Sequence, residues 1–152
     1  METSAATAER VHQALVEWEL VKLNTAFAYF MDHGDFESMI QLFTTDAHFD
    51  RAGNIHRGRD EIREAMRQRP KVTARHQLTN FHFLNVSDEY AEGVICAMVY
   101  HGPPQEDGKP ADYAVDECRL MEFQDKYTRT PEGWRIASRI GRAILVPRKI
   151  RP

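Results

Sequence analysis

The sequence predicts an α+β fold, and three observations support it. Apolar residues recur at helical spacing through the first half, and long strand-like segments fill the second half. Short turns rich in Gly, Pro, Asp and Ser separate those strands. Helices followed by an antiparallel meander place the helices across one face of a curved sheet. A sheet curled around a long helix leaves a pocket between them, a common place for a small ligand.

From about Ala8 to Met31 the spacing of Val11, Leu15, Trp18, Leu20, Leu23, Phe27 and Phe30 predicts an amphipathic helix with its stripe on the core. Asp32-His33-Gly34 ends it, with Gly34 able to take the left-handed cap. Asp35 reads as the N-cap of a short helix carrying Phe36, Met39, Ile40 and Phe43. An extended pair, Ala47–Asp50 and Asn54–Arg57, folds about Ala52-Gly53. Beyond Gly58 a third helix turns Ile62, Ala65 and Met66 inward and stops before Pro70. Four strands follow: Thr73–Val86, Tyr90–His101, Ala114–Thr128 and Trp134–Val146. Breaker-rich residues Gly102 to Pro110 form a loop between the second and third of these.

The 152 residues suffice for a single domain, with its core expected over about residues 8–146. Twenty basic against 23 acidic residues, net charge −3, favour neither nucleic acid nor an anionic membrane as partner. A mean hydropathy of −0.56, without a long apolar run, argues against a membrane span. The opening METSAATAERVHQ has no apolar core of a secretion signal, and the two cysteines, Cys96 and Cys118, read as buried thiols. A cytoplasmic location is the expectation. Residues Ala143–Pro152 turn from apolar to basic and are expected either to cover the pocket mouth or a neighbouring subunit, or to fray.

Seven histidines in an otherwise ordinary composition direct attention to proton chemistry. Asp32 closes the long helix behind Phe30 and Met31, a placement suited to a buried carboxylate; its plainer role is to begin the turn. His76 lies in Arg75-His76-Gln77-Leu78-Thr79-Asn80. Strict alternation would put His76, Leu78, Asn80, His82 and Leu84 on one face, with Gln77, Thr79, Phe81 and Phe83 on the other. A hydrogen-bonded histidine row on a half-exposed sheet is the alternative. His101 shares a face with Ala97 and Val99 and could join the set, or simply mark a loop edge. His12, His33 and His56 read as surface or turn residues, while His48 and His82 stay open.

His48, Asp50, His76 and His82 are of metal-ligating type. Six residues of strand separate His76 from His82 by roughly 20 Å, too far for one ion. No nucleophile elbow, phosphate loop or dinucleotide fingerprint occurs. The expectation is therefore a protein without metal or cofactor. Fifteen arginines to five lysines cluster most densely from Arg57 through Arg59, Arg63, Arg67 and Arg69. Interleaved Asp60, Glu61 and Glu64 predict a salt-paired solvated face there.

The run NTAFAYFMDHGDFESMIQLFTTDA, from Asn24 to Ala47, resembles the opening of SnoaL-like domains of the nuclear-transport-factor-2-like superfamily. Gly58-Arg59-Asp60-Glu61-Ile62, Arg75-His76 through Asn80, and Glu132-Gly133-Trp134-Arg135-Ile136 are similar to its later motifs, in the same order. The resemblance spans about residues 15–142 and implies a cone-shaped barrel: a curved, mainly antiparallel sheet wrapped around three N-terminal helices. Within the superfamily the chain is most similar to the scytalone-dehydratase-like branch. That likeness implies an acid–base pair at Asp32 and His76, with a second histidine at His101. Tyrosines that hold a substrate carbonyl in that branch are replaced here by Met31 and Arg51, and its later serine and asparagine lack counterparts near Glu122–Gln124.

The resulting expectation is a cofactor-free lyase acting on a small, largely apolar, aromatic or polycyclic oxygenated substrate. His76, oriented by Asp32, takes a proton and a β-bond breaks. His101 or the protonated His76 serves the leaving group, and Tyr29, Arg51 or Asn80 holds an oxygen. An isomerase in the same pocket and a non-catalytic binding or assembly subunit are the alternatives. Such proteins are commonly dimers or trimers, so a homo-oligomer is expected.

Overall fold

The computed structural model describes residues 4–113 and 118–147. Its elements are α1 (Ser4–His33), α2 (Phe36–Gln41), β1 (Phe43–Arg51), β2 (Asn54–Arg57), α3 (Gly58–Arg67), β3 (Thr73–Leu84), β4 (Tyr90–Gly102), β5 (Arg119–Thr130) and β6 (Gly133–Leu145). Two helices come first, α3 follows the β1–β2 pair, and the six strands form one curved, unclosed sheet, an α+β architecture. Strand order is β2-β1-β6-β5-β4-β3. The barrel wall is thus open, with β2 and β3 as its edges. The predicted start of the third long strand, Ala114 to Glu117, and the basic tail beyond Pro147 lie outside the described residues.

Strands β3 to β6 form the expected meander, and β6 then pairs with β1 in parallel. That last pairing joins residues far apart in sequence. It aligns Arg51 with Gly141, while Gly141 in turn faces Phe123 across the β5–β6 ladder. A second row runs from His76 through Val99 to Arg119. Two rungs spanning five strands thus bring Arg51, Phe123, His76 and Arg119 to one region.

Helix α1 crosses the sheet through Val16, Leu20, Leu23, Phe27 and Met31, all buried. Phe27 stands edge-on to Phe43, Phe49 and Phe123, with ring centroids 5.9–6.2 Å apart. The predicted stripe begins differently. Val11, Leu15 and Trp18 are more than half exposed. At 100° per residue these three point roughly opposite to Val16, Leu20 and Phe27, so they cannot share its buried face. Long as α1 is, among the described residues no helix is long and apolar enough to cross a membrane.

The end of α1 has the geometry that its residues predict. Gly34 takes φ +72°, Asp35 N–H donates to Phe30 O at 2.9 Å, and Gly34 N–H reaches Met31 O at 3.5 Å. This double closure satisfies the last carbonyls and stops the helix within one residue of His33. Asp35 then caps α2 by accepting from Ser38 N–H at 3.1 Å. Further along, Gly58 opens α3 with φ +71°, and a Cβ there would sit 2.9 Å from Thr45 O, so glycine is required.

Strand β3 departs from simple alternation. Its register with β4 slips between Thr79 and His82, and Asn80 takes φ +50°, a left-handed conformation. This bulge adds a residue and inverts the phase of the strand. His76 and Leu78 face inward before it, Phe81 and Phe83 after it, while Asn80, His82 and Leu84 are exposed. The expected common face of His76, Asn80 and His82 is therefore replaced by two half-strands of opposite phase. Both cysteines are half-buried rather than fully buried.

Candidate active site

Two segments meet at the end of α1. The Asp32 carboxylate accepts one hydrogen bond from the His76 backbone N–H at 2.8 Å and another at the ring Nδ1 at 2.6 Å. β3 is an edge strand, so a backbone N–H outside the ladder needs another acceptor, and the helix-end carboxylate supplies it. Both side chains are almost out of solvent, with 10% of His76 and 7% of Asp32 exposed. A carboxylate can only accept, so Nδ1 carries the ring proton in the neutral imidazole. Nε2 is then the lone-pair nitrogen, and it has no protein partner among the described residues. Arg75 adds a contact from its Nη1 to the Asp32 carbonyl at 3.3 Å.

His76 lines a cavity of about 310 Å³. Its apolar wall comes from Phe27, Phe49, Phe123, Met31, Val99 and Met121. Polar groups are few and mostly basic: Arg51, Arg69, Arg119 and His101, with Asp50 and Asn54 near Arg51. Burial holds the Arg51 guanidinium below its ordinary pKa, and the like charge of Arg69 adds to this. Burial acts on Arg69 in the same direction, opposed by attraction to Asp32.

Beneath the aromatic floor lies a second polar group of atoms. Arg139 is fully buried and donates to Asp125 at 2.9 and 2.5 Å and to Asn24. Tyr127 completes it, donating its hydroxyl to Asp125 at 2.6 Å while Asn24 Nδ2 donates to the same hydroxyl at 2.9 Å. The Arg139 guanidinium packs against Phe27 and Phe123, 4.3 and 4.7 Å from their ring centroids. These contacts fix the two rings from below and hold the cavity floor in place.

The structure thus gathers His76, His101 and Arg51 around one cavity, with Asp32 bonded to His76 but outside the cavity lining. Tyr29 and Asn80, expected to hold a substrate oxygen, are elsewhere. Tyr29 is 57% exposed and stacked on His33 with centroids 4.1 Å apart. It follows Phe27 by two residues, hence by about 200° around the helix, which turns it outward. Asn80 is turned outward by the bulge it occupies. His48 lies in β1 and is half-buried, and His82 is exposed, so neither lines the cavity.

Arg69 and Arg119 are the residues that sequence reasoning missed. The predicted salt-paired face does form at Arg63, which meets Glu37 at 2.9 Å and Asp60 at 2.7 Å, and loosely at Arg67 with Glu64. Arg69 belongs to neither pairing, because α3 ends at Arg67 and the chain turns before Pro70. Its Nη1 contacts Met31 Sδ at 3.6 Å, and its guanidinium lies 5.9 Å from the Phe36 ring. The stop signal at Pro70 was a usable cue that Arg69 leaves the helical face.

Comparison with known proteins supplies the relationship. No curated protein matches the sequence. A Mycobacterium tuberculosis protein of unknown function, solved as an Asp-to-Asn variant, is 25% identical; 90% of this chain and 75% of that one align, with a TM-score of 0.71. A candidate scytalone dehydratase from Novosphingobium aromaticivorans is 17% identical over 93% of each chain, TM-score 0.72. A candidate dehydratase of the NTF2-like family from Streptomyces avermitilis is 22% identical over 88% of this chain and 99% of its own, TM-score 0.72. These last two likenesses bear on the fold alone. The sequence profile of the SnoaL-like domain matches residues 12–140, and the chain belongs to that family.

Proposed function

We propose that the protein is a lyase that eliminates water, or another β-leaving group, from a small aromatic or bicyclic substrate by His76–Asp32 acid–base catalysis. The observation that carries this reading is the orientation of His76. Asp32 fixes both its backbone and its Nδ1, and the unpartnered Nε2 belongs to a ring that lines a cavity of ligand size.

In the proposed reaction, Nε2 takes a proton from the carbon α to a carbonyl. The electron pair forms the new C=C bond as the C–O bond at the β-carbon breaks, and the departing hydroxide receives a proton to leave as water. The imidazolium can return that proton, and His101 lines the same cavity. Asp32 faces the positive charge that develops on the ring, the role an aspartate has beside a catalytic histidine elsewhere. Phe27, Phe49 and Phe123 offer edges and faces to a flat substrate. Against a purely structural or assembly role stand the unfilled cavity and the 2.6 Å contact of Asp32 with His76.

The test is turnover of a panel of aryl and bicyclic β-hydroxy ketones, followed by mass spectrometry. Loss of one water, abolished in His76→Ala, is the expected result. Product of unchanged mass would replace the lyase by an isomerase. Undiminished turnover in both His76→Ala and Asp32→Asn would overturn the assignment of the pair.

A further inference from the structure

We propose that Arg51 and Arg69 form an oxyanion subsite in the His76 cavity, so that its ligand is an aromatic carboxylic acid, bound as the carboxylate. The two guanidinium groups line one cavity from opposite ends of the α3 region: Arg51 ends β1, and Arg69 follows the end of α3. Both are half-buried, and neither makes an ion pair among the described residues. The carboxylates nearby are already engaged. Asp32 accepts both N–H groups of His76, and Asp50 accepts Gly53 N–H at 2.6 Å and faces Arg142 at 3.7 Å. A third cation, Arg119, lines the same cavity, and His76 and His101 complete the titratable set facing it with Asp50.

Half-buried like charges whose neighbouring carboxylates are engaged elsewhere are unfavourable. Arg69 Nη1 now points at a thioether, the weakest of acceptors, at 3.6 Å. A carboxylate would replace that contact with charge-assisted hydrogen bonds and neutralise the repulsion between the two arginines. Planar guanidinium forks match a planar carboxylate, and the aromatic wall formed by Phe27, Phe49 and Phe123 suits a ring attached to it. The subsite rests on the proposed lyase reading only in calling the bound acid a substrate; the binding itself requires no turnover.

Calorimetric titration with 1-naphthoate, its neutral isostere 1-naphthamide, 1-naphthyl phosphate and inorganic phosphate tests it on the full chain. Naphthoate should bind about tenfold or more tighter than the amide. Arg51→Gln and Arg69→Gln should each erase most of that preference while leaving amide binding nearly unchanged, and His76→Ala should retain it. In the absence of ligand, Arg51→Gln should melt at or above the wild-type temperature, because one of two repelling charges is gone. Equal binding of acid and amide, absence of binding by both, or a preference surviving in both arginine variants overturns the subsite. Inorganic phosphate binding as tightly as naphthoate, or tighter binding of naphthyl phosphate, overturns the carboxylate assignment. A carboxylate preference without turnover of any substrate would sink the lyase reading and leave the subsite standing.

Discussion

Asp32 holds His76 twice, at the backbone N–H and at ring Nδ1, so one carboxylate sets both the position of β3 and the tautomer of its histidine. An asparagine cannot do both. Its amide has one acceptor oxygen, which the His76 backbone N–H requires because it can only donate, so the NH2 group faces Nδ1. The ring must then accept there and carry its proton on Nε2, which removes the base.

Asp32→Asn should therefore fold and yet lose about 10³–10⁴ in turnover, the scale seen when an orienting aspartate is neutralised beside a histidine. The tautomer can be read without a substrate. Nitrogen chemical shifts of the His76 ring should report Nδ1–H in the wild type and Nε2–H in the variant. An unchanged tautomer would refute the orienting role.

Much of the fold was legible because local signals fixed it. Gly34 and Asp35 mark the break between α1 and α2, Gly58 starts α3, and alternation marks β4 and β6. The parallel pairing of β1 with β6 has no local signature, because it depends on long-range closure of the sheet. That closure is what brings Arg51 near His76. Asp32 and His76 could be paired by resemblance alone, since 44 positions separate them and nothing in either segment encodes the other. Asn80 lies off the face that alternation predicts because the residue inserted at the bulge reverses the phase of the strand.

The bulge gives a second prediction. Asn80 holds φ +50°, a conformation that asparagine and glycine tolerate better than other residues. Asn80→Val should cost about 1–2 kcal/mol in urea unfolding, whereas Asn80→Gly should be close to neutral. If the valine variant were equally stable, the left-handed geometry would not be the constraint that fixes the inward phase of Phe81 and Phe83.

Arg139 and Asp125 give a third. Both side chains are fully buried, and each is the principal counter-charge of the other. Removing Asp125 alone, as in Asp125→Ala, strands a buried guanidinium and should cost about 3–5 kcal/mol. Replacing both by apolar residues, Asp125→Leu with Arg139→Met, should cost distinctly less than the sum of the single changes. Additive losses in a double-mutant cycle would show that the pair is not coupled. Because Arg139 supports Phe27 and Phe123, Arg139→Met should also loosen ligand binding in the cavity above it.

Tyr127, next to that pair, supplies a prediction about alkaline pH. Burial pushes its phenol well above the ordinary range, and the Asp125 carboxylate pushes it further, against the opposing pull of Arg139. The native state therefore holds this proton more tightly than the unfolded chain does. Its contribution to stability is whole below about pH 10, the ordinary phenol value, and is lost as pH rises through the higher native one. In a spectrophotometric titration, Tyr127 should stay protonated until the fold opens. Its ionisation should then coincide with loss of the circular dichroism signal. Tyr127→Phe should remove that step and leave the remaining curve unchanged. A Tyr127 that ionises near pH 10 in the intact fold would mean that water reaches the buried network beneath the cavity.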